Sequence, residues 1–461
     1  MKESFCRTLC WMEEGERMRI PKKKDIIALS PPQILIFVFL AFTILGTVLL
    51  KVPLATNGNI SWIDALFTST SAMTVTGLAV IDTGASFTLF GEIVILCLIQ
   101  LGGLGIMTFA VLIFMTLGRK IGFKERLLIQ QALGQTSIGG IIKLAKQLFL
   151  FSIILETVAA VLLAIRWVPE MGWGKGSYAA IFHSISSFNN AGFSIWPDNL
   201  TRYVADPVVN IIISFLFIIG GIGFTVVFDL WKKSEFKKLT LHTKMMVVGT
   251  FVINIIAVFL VFSFEYDNPQ TLGDLSLSGK IQAAYFQGVV PRTAGFNTID
   301  IGALNESTLF LMILLMFIGA GSGSTGGGIK LTTFLAIVLS VLSFLRNKDE
   351  IVVYNRSIDD RTVVKSLAIT IISLSVICVA IFILDVTENN ARFFEIVFEV
   401  VSAFGTSGLS MGLTGELTSI GKMVIVFVMF VGKIGPLTLA FSLAKPNKSK
   451  IRYPKEDILT G

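Results

Sequence analysis

Four long apolar stretches of the chain share one order of hydrophobic and polar positions. Each opens with a long apolar run, continues with a shorter apolar segment and closes with a second long run. The opening runs cover 34–50, 148–165, 246–264 and 366–384, and the closing runs cover 90–117, 208–230, 307–345 and 420–443. Because a helix crosses a bilayer in about 20 residues, each stretch predicts two transmembrane helices.

The shorter segments between these runs have a different character. They lie at 62–78, 178–194, 281–297 and 394–410, and each ends in a small polar turn with one glycine. Their apolar parts are too short to span a bilayer and predict re-entrant pore helices. The turns cannot face lipid, because their backbone groups need partners or water, so we expect them to line a pathway.

Two glycine markers recur in all four stretches. The turns read TVTGL, NNAGF, RTAGF and GTSGL, and their glycines are Gly77, Gly192, Gly295 and Gly408. The second marker lies in each closing run and reads LGGLGI (101–106), IGGIGF (219–224), IGAGSG (318–323) and VGKIGP (431–436). We expect glycines of the second marker, such as Gly102 and Gly220, to let helices pack closely. Recurrence on this scale indicates equivalent structural units, which we call repeats.

The predicted fold is an all-α polytopic membrane protein. Its four tandem helix–pore-helix–helix repeats form a pseudo-fourfold ring with eight transmembrane helices and four re-entrant pore helices. The predicted parts are an N-terminal cytoplasmic tail (1–30), repeats at 31–118, 148–231, 246–345 and 366–443, cytoplasmic loops at 119–147, 232–245 and 346–365, and a C-terminal cytoplasmic tail (444–461).

Composition and charge agree with a membrane protein. Hydrophobic residues make up 53% of the chain and charged residues 15%, against about 25% charged in soluble domains. Of 38 Lys and Arg, 28 lie in five segments, at 2–24, 119–146, 232–244, 346–365 and 445–455. Short basic segments remain cytoplasmic, so both termini are expected inside and all repeats run in one direction. The net charge of +7 is then a topology signal and does not indicate nucleic-acid binding.

The glycine turns have the chemistry of a cation filter. A cation that leaves water needs its hydration shell replaced by oxygens, and rings of backbone carbonyls supply them. Glycine allows the dihedral angles that aim carbonyls inward, and the C-terminal ends of pore helices favour a cation. The candidate filter residues are Thr76, Gly77, Ala191, Gly192, Ala294, Gly295, Ser407 and Gly408.

At these motifs the sequence resembles the Trk/Ktr/HKT family of potassium transporters, in particular the Ktr membrane (pore) subunits of the KtrB/KtrD type. The resemblance extends from SPPQILI (30–36) to IRYPKEDI (451–458) and depends on TVTGLAV, FNNAGFS, PRTAGFN, GAGSGSTGGGIK and GPLTLAF. It implies sodium-dependent potassium uptake across the cell membrane by a homodimer with one pore per subunit. It also implies a separate regulatory ring of KtrA/KtrC-type subunits in the cytoplasm. Potassium is then the cargo, sodium an activator or coupling ion, and nucleotide is expected only on that partner, so this chain needs no cofactor.

Residues 319–330, GAGSGSTGGGIK, also contain a G-x-G-x-x-G pattern. A dinucleotide site would need a buried strand before the pattern and an amphipathic helix after it, whereas both flanks are apolar all round. The run 307–345 is too long for one straight crossing, and each glycine disfavours a helix by about 1 kcal/mol. Residues 319–328 are therefore expected to unwind inside the membrane, and the resemblance implies that they act as a gate.

The candidate gate residues are Gly321, Ser322, Gly323, Ser324, Thr325, Gly326, Gly327, Gly328 and Lys433. Lys433 lies where the other repeats have Gly103, Gly221 and Ala320, and where the family usually has arginine. A cation at the centre of a span costs at least about 2.5–3.5 kcal/mol. A role in the pathway, a structural ion pair and snorkelling to the interface are all possible explanations.

Two other classes of function fit the sequence less well. A secondary symporter with alternating access would also use broken helices, but such transporters are often built from inverted halves. An enzyme is disfavoured because the sequence has no nucleophile–base set and no metal-ligand cluster. For Glu156 and His183 a structural role is favoured, with a pore-helix group as a possible partner of Glu156.

Overall fold

The computed structural model describes residues 31–105, 141–436, 438–439 and 456. These residues are mostly helical, with one two-stranded hairpin. The predicted N-terminal tail, the end of the first repeat, most of the first cytoplasmic loop and nearly all of the C-terminal tail lie outside them.

The first repeat contains four helices in its described part: α1 (Pro31–Lys51), α2 (Trp62–Thr74), α3 (Thr83–Ser86) and α4 (Leu89–Leu104). Helix α2 begins after Ser61, whose hydroxyl accepts a hydrogen bond from the Asp64 N–H at 3.0 Å. Such a cap satisfies one of the free N–H groups of a helix start. The predicted pore helix of this repeat therefore starts at a defined residue and ends two residues before Thr76.

In the second repeat, α5 (Ile141–Phe188) combines the predicted opening span with the predicted pore helix. The two parts meet at a kink at Gly172, which has a φ of 81°. A short 3-10 helix (Thr201–Tyr203), α6 (Pro207–Ile222) and α7 (Phe224–Lys232) follow. Residues 208–230, predicted as the closing span of this repeat, form two helices, since α6 and α7 meet at an angle of 96°. Gly223 between them has a φ of 104°, which a helix cannot contain.

The third repeat is preceded by a 3-10 helix (Phe236–Lys238) and contains α8 (Leu241–Glu265), α9 (Leu277–Val289), α10 (Glu306–Phe317) and α11 (Leu331–Leu345). The predicted interruption of 307–345 is confirmed, because no helix covers residues 318–330. The fourth repeat is preceded by a hairpin of β1 (Val352–Val353) and β2 (Arg356–Ser357), in which Val352 lies opposite Ser357. The repeat itself contains α12 (Asp360–Thr387), α13 (Phe393–Gly405), a 3-10 helix (Leu413–Glu416) and α14 (Ser419–Ile434).

Several described helices have the length and composition of membrane spans. Three qualify singly, Ala145–Phe188, Leu241–Glu265 and Asp360–Thr387, and the bent pair α6–α7 qualifies only when its two helices are counted as one span. Four further apolar helices are shorter: Ile36–Lys51, Leu89–Leu104, Glu306–Phe317 and Leu331–Leu345. Large apolar side chains such as Phe251 and Phe382 are exposed on these helices, as expected for surfaces that face lipid. The chain is an integral membrane protein, and the number of crossings remains a prediction.

Close helix packing through the second marker is confirmed. Gly102, Gly220 and Gly432 each lie against the last carbonyls of the pore helix in their own repeat, at Met73, Phe188 and Phe404 respectively. Any side chain at these glycines would collide with backbone atoms. The pore helices are therefore held directly against the closing runs. In addition, α14 of the last repeat packs on α2 of the first, so the first and last repeats are in contact.

Candidate ion pathway and gate

The four predicted turns lie next to one another in chain order and close on themselves. Each turn glycine is so near the following turn that an added Cβ would collide with it. That Cβ would meet the carbonyl of Ala191 at 2.5 Å for Gly77, the Cα of Gly295 at 2.7 Å for Gly192, the carbonyl of Ser407 at 2.7 Å for Gly295, and the carbonyl of Thr76 for Gly408. The turns therefore surround one axis, and a side chain at any of these glycines would displace backbone atoms of the next turn.

The backbone of every turn has the same alternation of hand. The glycines have φ values of 93°, 68°, 74° and 81° in chain order. The residue two positions earlier is also left-handed in each turn: Val75, Asn190, Thr293 and Thr406, with φ values of 51°, 58°, 80° and 49°. In every turn the carbonyl of the residue between these two positions, Thr76, Ala191, Ala294 or Ser407, lies within 3.0 Å of the Cβ position of the neighbouring turn's glycine. The turns can thus direct several carbonyls at the axis.

These left-handed residues were missed by the sequence reasoning. Asparagine adopts this conformation with little strain, so Asn190 was a usable signal. Valine and threonine avoid it because their Cβ is branched. Val75, Thr293 and Thr406 are therefore locally strained, and the surrounding structure must hold them in this conformation.

Hydrogen bonds between serine hydroxyls and backbone groups hold the turns in place. The Gly77 N–H donates to the Ser71 hydroxyl at 3.1 Å, and the Ser186 hydroxyl donates to the Phe193 carbonyl at 2.8 Å. The Ser407 hydroxyl donates to the carbonyl of Pro291, in the neighbouring repeat, at 2.9 Å. The spacing of the turns is therefore set by the pore helices and by contacts between repeats.

The unwound loop of the third repeat lies directly against three of the four turns. Each contact involves the left-handed residue of a turn. The Thr325 hydroxyl donates to Asn190 Oδ1 at 2.8 Å, the Gly327 N–H donates to Thr406 Oγ1 at 2.8 Å, and Gly326 lies against the side chain of Thr293. The corresponding residue of the first repeat, Val75, has no polar side-chain group.

The backbone of the loop is satisfied by the protein and not by lipid. Its hydrogen bonds go mainly to the second glycine marker of the neighbouring repeats. They run from Gly321 N–H to the Gly221 carbonyl (2.8 Å), from Thr325 N–H to the Gly220 carbonyl (3.2 Å), from Gly328 N–H to the Gly432 carbonyl (3.2 Å) and from Phe224 N–H to the Gly323 carbonyl (3.0 Å). Irregular backbone at membrane depth is tolerated under these conditions.

Two lysine side chains end on adjacent carbonyls of this loop. The Lys433 ammonium donates to the Thr325 carbonyl, and the Lys330 ammonium donates to the Gly326 carbonyl at 2.7 Å. Within the described residues, neither lysine forms an ion pair with a carboxylate. Two basic side chains without a carboxylate partner among the described residues therefore lie at the level of the loop.

Glu156 and His183 lie behind the second turn. The Glu156 carboxylate accepts hydrogen bonds from Gln100 Nε2 at 3.0 Å and from Asn189 Nδ2 at 3.2 Å. Asn189 lies in the predicted pore-helix segment 178–194, directly after the helix ends at Phe188. The possible pairing of Glu156 with a group of that segment is therefore confirmed. His183 is buried and lies 3.0 Å from the Ser194 hydroxyl. Both side chains support the turn from outside the axis.

A ring of glycine turns with an unwound segment beneath it, in a helical membrane protein, has the architecture of a cation transport protein. The chain belongs to the TrkH family of cation transport proteins, whose family model matches residues 19–453. This confirms the family resemblance of the motifs, and the prediction that the chain is not an enzyme agrees with the transport proteins to which it is related.

Two relatives and one solved structure illustrate the relationship. The chain is 56% identical over 446 residues to Ktr system potassium uptake protein B of Bacillus subtilis (strain 168), covering 96% of this chain and 100% of that protein. It is 37% identical over 452 residues to the potassium/sodium uptake protein NtpJ of Enterococcus hirae, covering 96% and 100%. The crystal structure of the potassium transporter TrkH from Vibrio parahaemolyticus matches with a TM-score of 0.71 at 22% identity, covering 95% of this chain and 89% of that one. The fold is therefore that of TrkH.

Proposed function

We propose that the chain takes up potassium across the cell membrane through a filter of backbone carbonyls. The observation that carries the proposal is the closed ring of turn glycines, in which each glycine lies against the next turn. The residues proposed to coordinate the ion are Thr76, Gly77, Ala191, Gly192, Ala294, Gly295, Ser407 and Gly408. The names of the two relatives, both potassium uptake proteins, support potassium as the cargo.

In the proposed topology, each repeat contributes two crossings and one re-entrant pore helix, which gives eight crossings with both termini in the cytoplasm. The long apolar helices and the bent pair α6–α7 are consistent with it. The basic segments on one side of every repeat support the orientation. A multi-pass protein of this kind would reside in the cell membrane.

The gate in this proposal is formed by residues 321–328 and Lys433. The hydrogen bonds of Thr325 and Gly327 to the second and fourth turns keep the loop beneath the filter. The ammonium of Lys433 adds a positive charge at the same level and is bound to the loop. Opening would require the loop to leave these partners, since their hydrogen bonds hold it in this position.

Sodium and a regulatory partner complete the proposal. Sodium dependence follows from the family resemblance and agrees with the potassium/sodium name of the Enterococcus relative. The Ktr system name of the Bacillus relative is consistent with a system of several components. We therefore propose a homodimer controlled by a cytoplasmic KtrA/KtrC-type ring that holds the nucleotide, with no cofactor on this chain.

The test is potassium uptake into cells that lack their own uptake systems. The chain is expressed with and without a co-expressed regulatory subunit, and initial rates are measured with and without sodium. We expect uptake that rises with the partner and with sodium. No uptake at verified membrane abundance, with the partner present, would refute the proposal. Uptake that stops when a sodium or proton gradient is removed at constant voltage would favour the alternating-access symporter.

A further inference from the structure

Helix α7 leaves α6 at 96°, so it runs along the membrane plane when α6 crosses the bilayer. Helix α6 has 16 residues and begins after the capping residue Asp206. Its length of about 24 Å is less than the hydrocarbon thickness of about 30 Å. When α6 crosses the bilayer from a boundary at Asp206, its other end lies about 6 Å short of the opposite boundary. Helix α7 continues from that end at 96° to α6. Surface helices of membrane proteins lie at this depth.

The surface formed by α7 and residues 233–244 combines exposed aromatic and basic side chains. Trp231 is 73% exposed, although one edge of its ring packs against Phe151. Residues 229–244 contain five lysines and two carboxylates, a net charge of +3 with histidine neutral. Exposed tryptophan prefers the membrane–water interface, and clustered lysines attract the anionic headgroups of a cytoplasmic leaflet.

Two of these lysines are available to an external anion. Lys233 pairs with Asp229 at 2.7 Å and Lys238 pairs with Glu235 at 2.7 Å. Lys232 and Lys237 are exposed, and neither has an ion-pair partner within the described part of the chain. These two ammonium groups therefore have no carboxylate to neutralise them.

The segment that carries these lysines is held in place by an aromatic pair. The Lys244 ammonium lies 5.6 Å from the ring centres of both Phe236 and Tyr354. It also donates to the Lys237 carbonyl at 3.0 Å. Cation–π contacts of this kind are worth about 0.5–1 kcal/mol at exposed sites. The 233–244 segment is thereby joined to the hairpin close to Lys237.

We propose that Trp231, Lys232 and Lys237 form a binding site for the headgroup of an anionic phospholipid, and that lipid bound there acts on the loop of the third repeat. The occupant is an anionic lipid because the surface is positively charged, exposes an indole ring and lies at the boundary. The connection to the loop is direct, since the N–H of Phe224, the first residue of α7, donates to the Gly323 carbonyl at 3.0 Å. This effect on the loop rests on the proposed function, whereas lipid binding does not.

Binding is tested on the full chain reconstituted in phosphatidylcholine vesicles. A small fraction of brominated phosphatidylglycerol or of brominated phosphatidylcholine is added, and tryptophan quenching is measured. The contribution of Trp231 is the difference in quenched tryptophan fluorescence between the parent and the Trp231→Phe variant. We expect brominated phosphatidylglycerol to quench Trp231 about twofold more than the same fraction of brominated phosphatidylcholine.

The control is Trp62, which is 59% exposed and lies beside a single lysine, Lys51, at 5.8 Å. The signal lost in Trp62→Phe should show little preference between the lipids. Changing both Lys232 and Lys237 to Gln should equalise the quenching of Trp231. Equal quenching in the parent, or no quenching at all, would refute the lipid site; the second result would mean that the surface faces water or a protein.

The effect on the loop is measured separately as potassium flux into the same vesicles. Parent flux should change about twofold with the phosphatidylglycerol fraction, and the variant with Lys232→Gln and Lys237→Gln should lose this dependence. If the lipid binds but parent flux is independent of it, the coupling is refuted and the site stands. If no potassium flux occurs in any lipid, the proposed function fails, and the quenching result still decides the site.

Discussion

The Thr325 hydroxyl donates to Asn190 Oδ1 at 2.8 Å, and this bond joins the unwound loop to the second turn. Asn190 is one of the left-handed residues that shape the turns, with a φ of 58°. The same residue donates from Nδ2 to Thr293 Oγ1, in the third turn, at 3.2 Å. A single side chain therefore links the loop to two adjacent turns, and movement of the loop alters the packing of the proposed filter.

Thr325→Val keeps the shape of the side chain and removes this hydrogen bond. One hydrogen bond is worth about 1 kcal/mol, so we expect initial potassium uptake to rise up to about fivefold as the loop leaves the axis more easily. The control is Ser324→Ala, because the Ser324 hydroxyl bonds only within the loop, to the Gly321 carbonyl at 2.7 Å. Uptake rates are compared at equal membrane abundance. Equal rates in the parent and both variants would contradict a restraining role for the Asn190 contact.

The turn glycines can be compared with a glycine that has the same backbone hand but free space around it. Gly408 has a φ of 81°, and an added Cβ would collide with the Thr76 carbonyl. Gly412 has a φ of 103° and no atom within 4 Å of an added Cβ. Alanine is strained in both backbones, by about 1 kcal/mol, but only the first substitution displaces a carbonyl of the ring.

We expect Gly408→Ala to weaken the preference for potassium over sodium, and Gly77→Ser to act similarly. Gly412→Ala should lower thermal stability slightly and leave the preference unchanged. The measurement is the ratio of potassium to sodium uptake in each variant. Unchanged ratios in both Gly408→Ala and Gly77→Ser would remove the filter assignment.

The ion pair of Lys422 and Asp64 joins the last repeat to the first. Its atoms are 2.8 Å apart, and both side chains are less than one-fifth exposed. We expect Lys422→Gln to destabilise the protein by about 1–2 kcal/mol, since the Asp64 carboxylate loses its partner in a partly buried position. In a double-mutant cycle, Asp64→Asn should destabilise the Lys422→Gln variant less than it destabilises the parent protein.

The control for this pair is the exposed pair of Arg202 and Asp198, at 2.9 Å. Arg202→Gln should have almost no effect, because exposed ion pairs contribute about 0–1 kcal/mol. Thermal unfolding in detergent measures all of these variants. Strictly additive effects of Asp64→Asn and Lys422→Gln would mean that the pair does not hold the repeats together.

The sequence predicted those features whose signal is local. The pore helices of three repeats, α2, α9 and α13, fall within five residues of their predicted starts because a short apolar segment followed by a glycine is visible in the sequence itself. The break between α10 and α11 was equally predictable, since six glycines in 319–328 oppose a helix wherever they occur.

The features that the sequence did not predict depend on contacts between distant residues. Val75 has a left-handed backbone that its own side chain disfavours, so the surrounding turns must impose it. Lys422 appeared as one scattered lysine, and its partner Asp64 lies 358 residues away. The sequence did not predict the bend at Gly223, because the residues on both sides of it are apolar. The equivalent Gly105 and Gly435 also have positive φ, so this backbone conformation recurs at the second glycine marker.

Removal of residues 321–327 tests the loop as a whole. These residues supply most of its contacts with the turns, through Thr325 and Gly327. A shorter loop cannot reach across the axis, so we expect a higher maximal potassium flux and less dependence on the regulatory subunit. Flux is measured with and without that subunit. A deletion protein that is present in the membrane at normal abundance but shows lower maximal flux would identify the loop as a support.

Lys433 provides the sharpest test, because charge and hydrogen bonding can be separated at one position. Its ammonium donates to the Thr325 carbonyl, and a positive charge beside the axis repels potassium far more strongly in a low-dielectric surround than in water. Lys433→Gln retains a donor and removes the charge, so we expect faster initial uptake at low potassium. Lys433→Arg keeps the charge and introduces the residue that the family resemblance implies at this position, so it should resemble the parent.

Both Lys433 variants are compared at matched membrane abundance, with Lys330→Gln as a second charge removal at the neighbouring Gly326 carbonyl. If charge is the barrier, both Gln variants should be faster than the parent, and the double variant faster than either. If Lys433→Gln equals the parent while Lys433→Arg is inactive, the charge barrier is wrong and the lysine has a packing role. Arginine would then fail because its planar guanidinium is larger than an ammonium and cannot approach the Thr325 carbonyl in the same way.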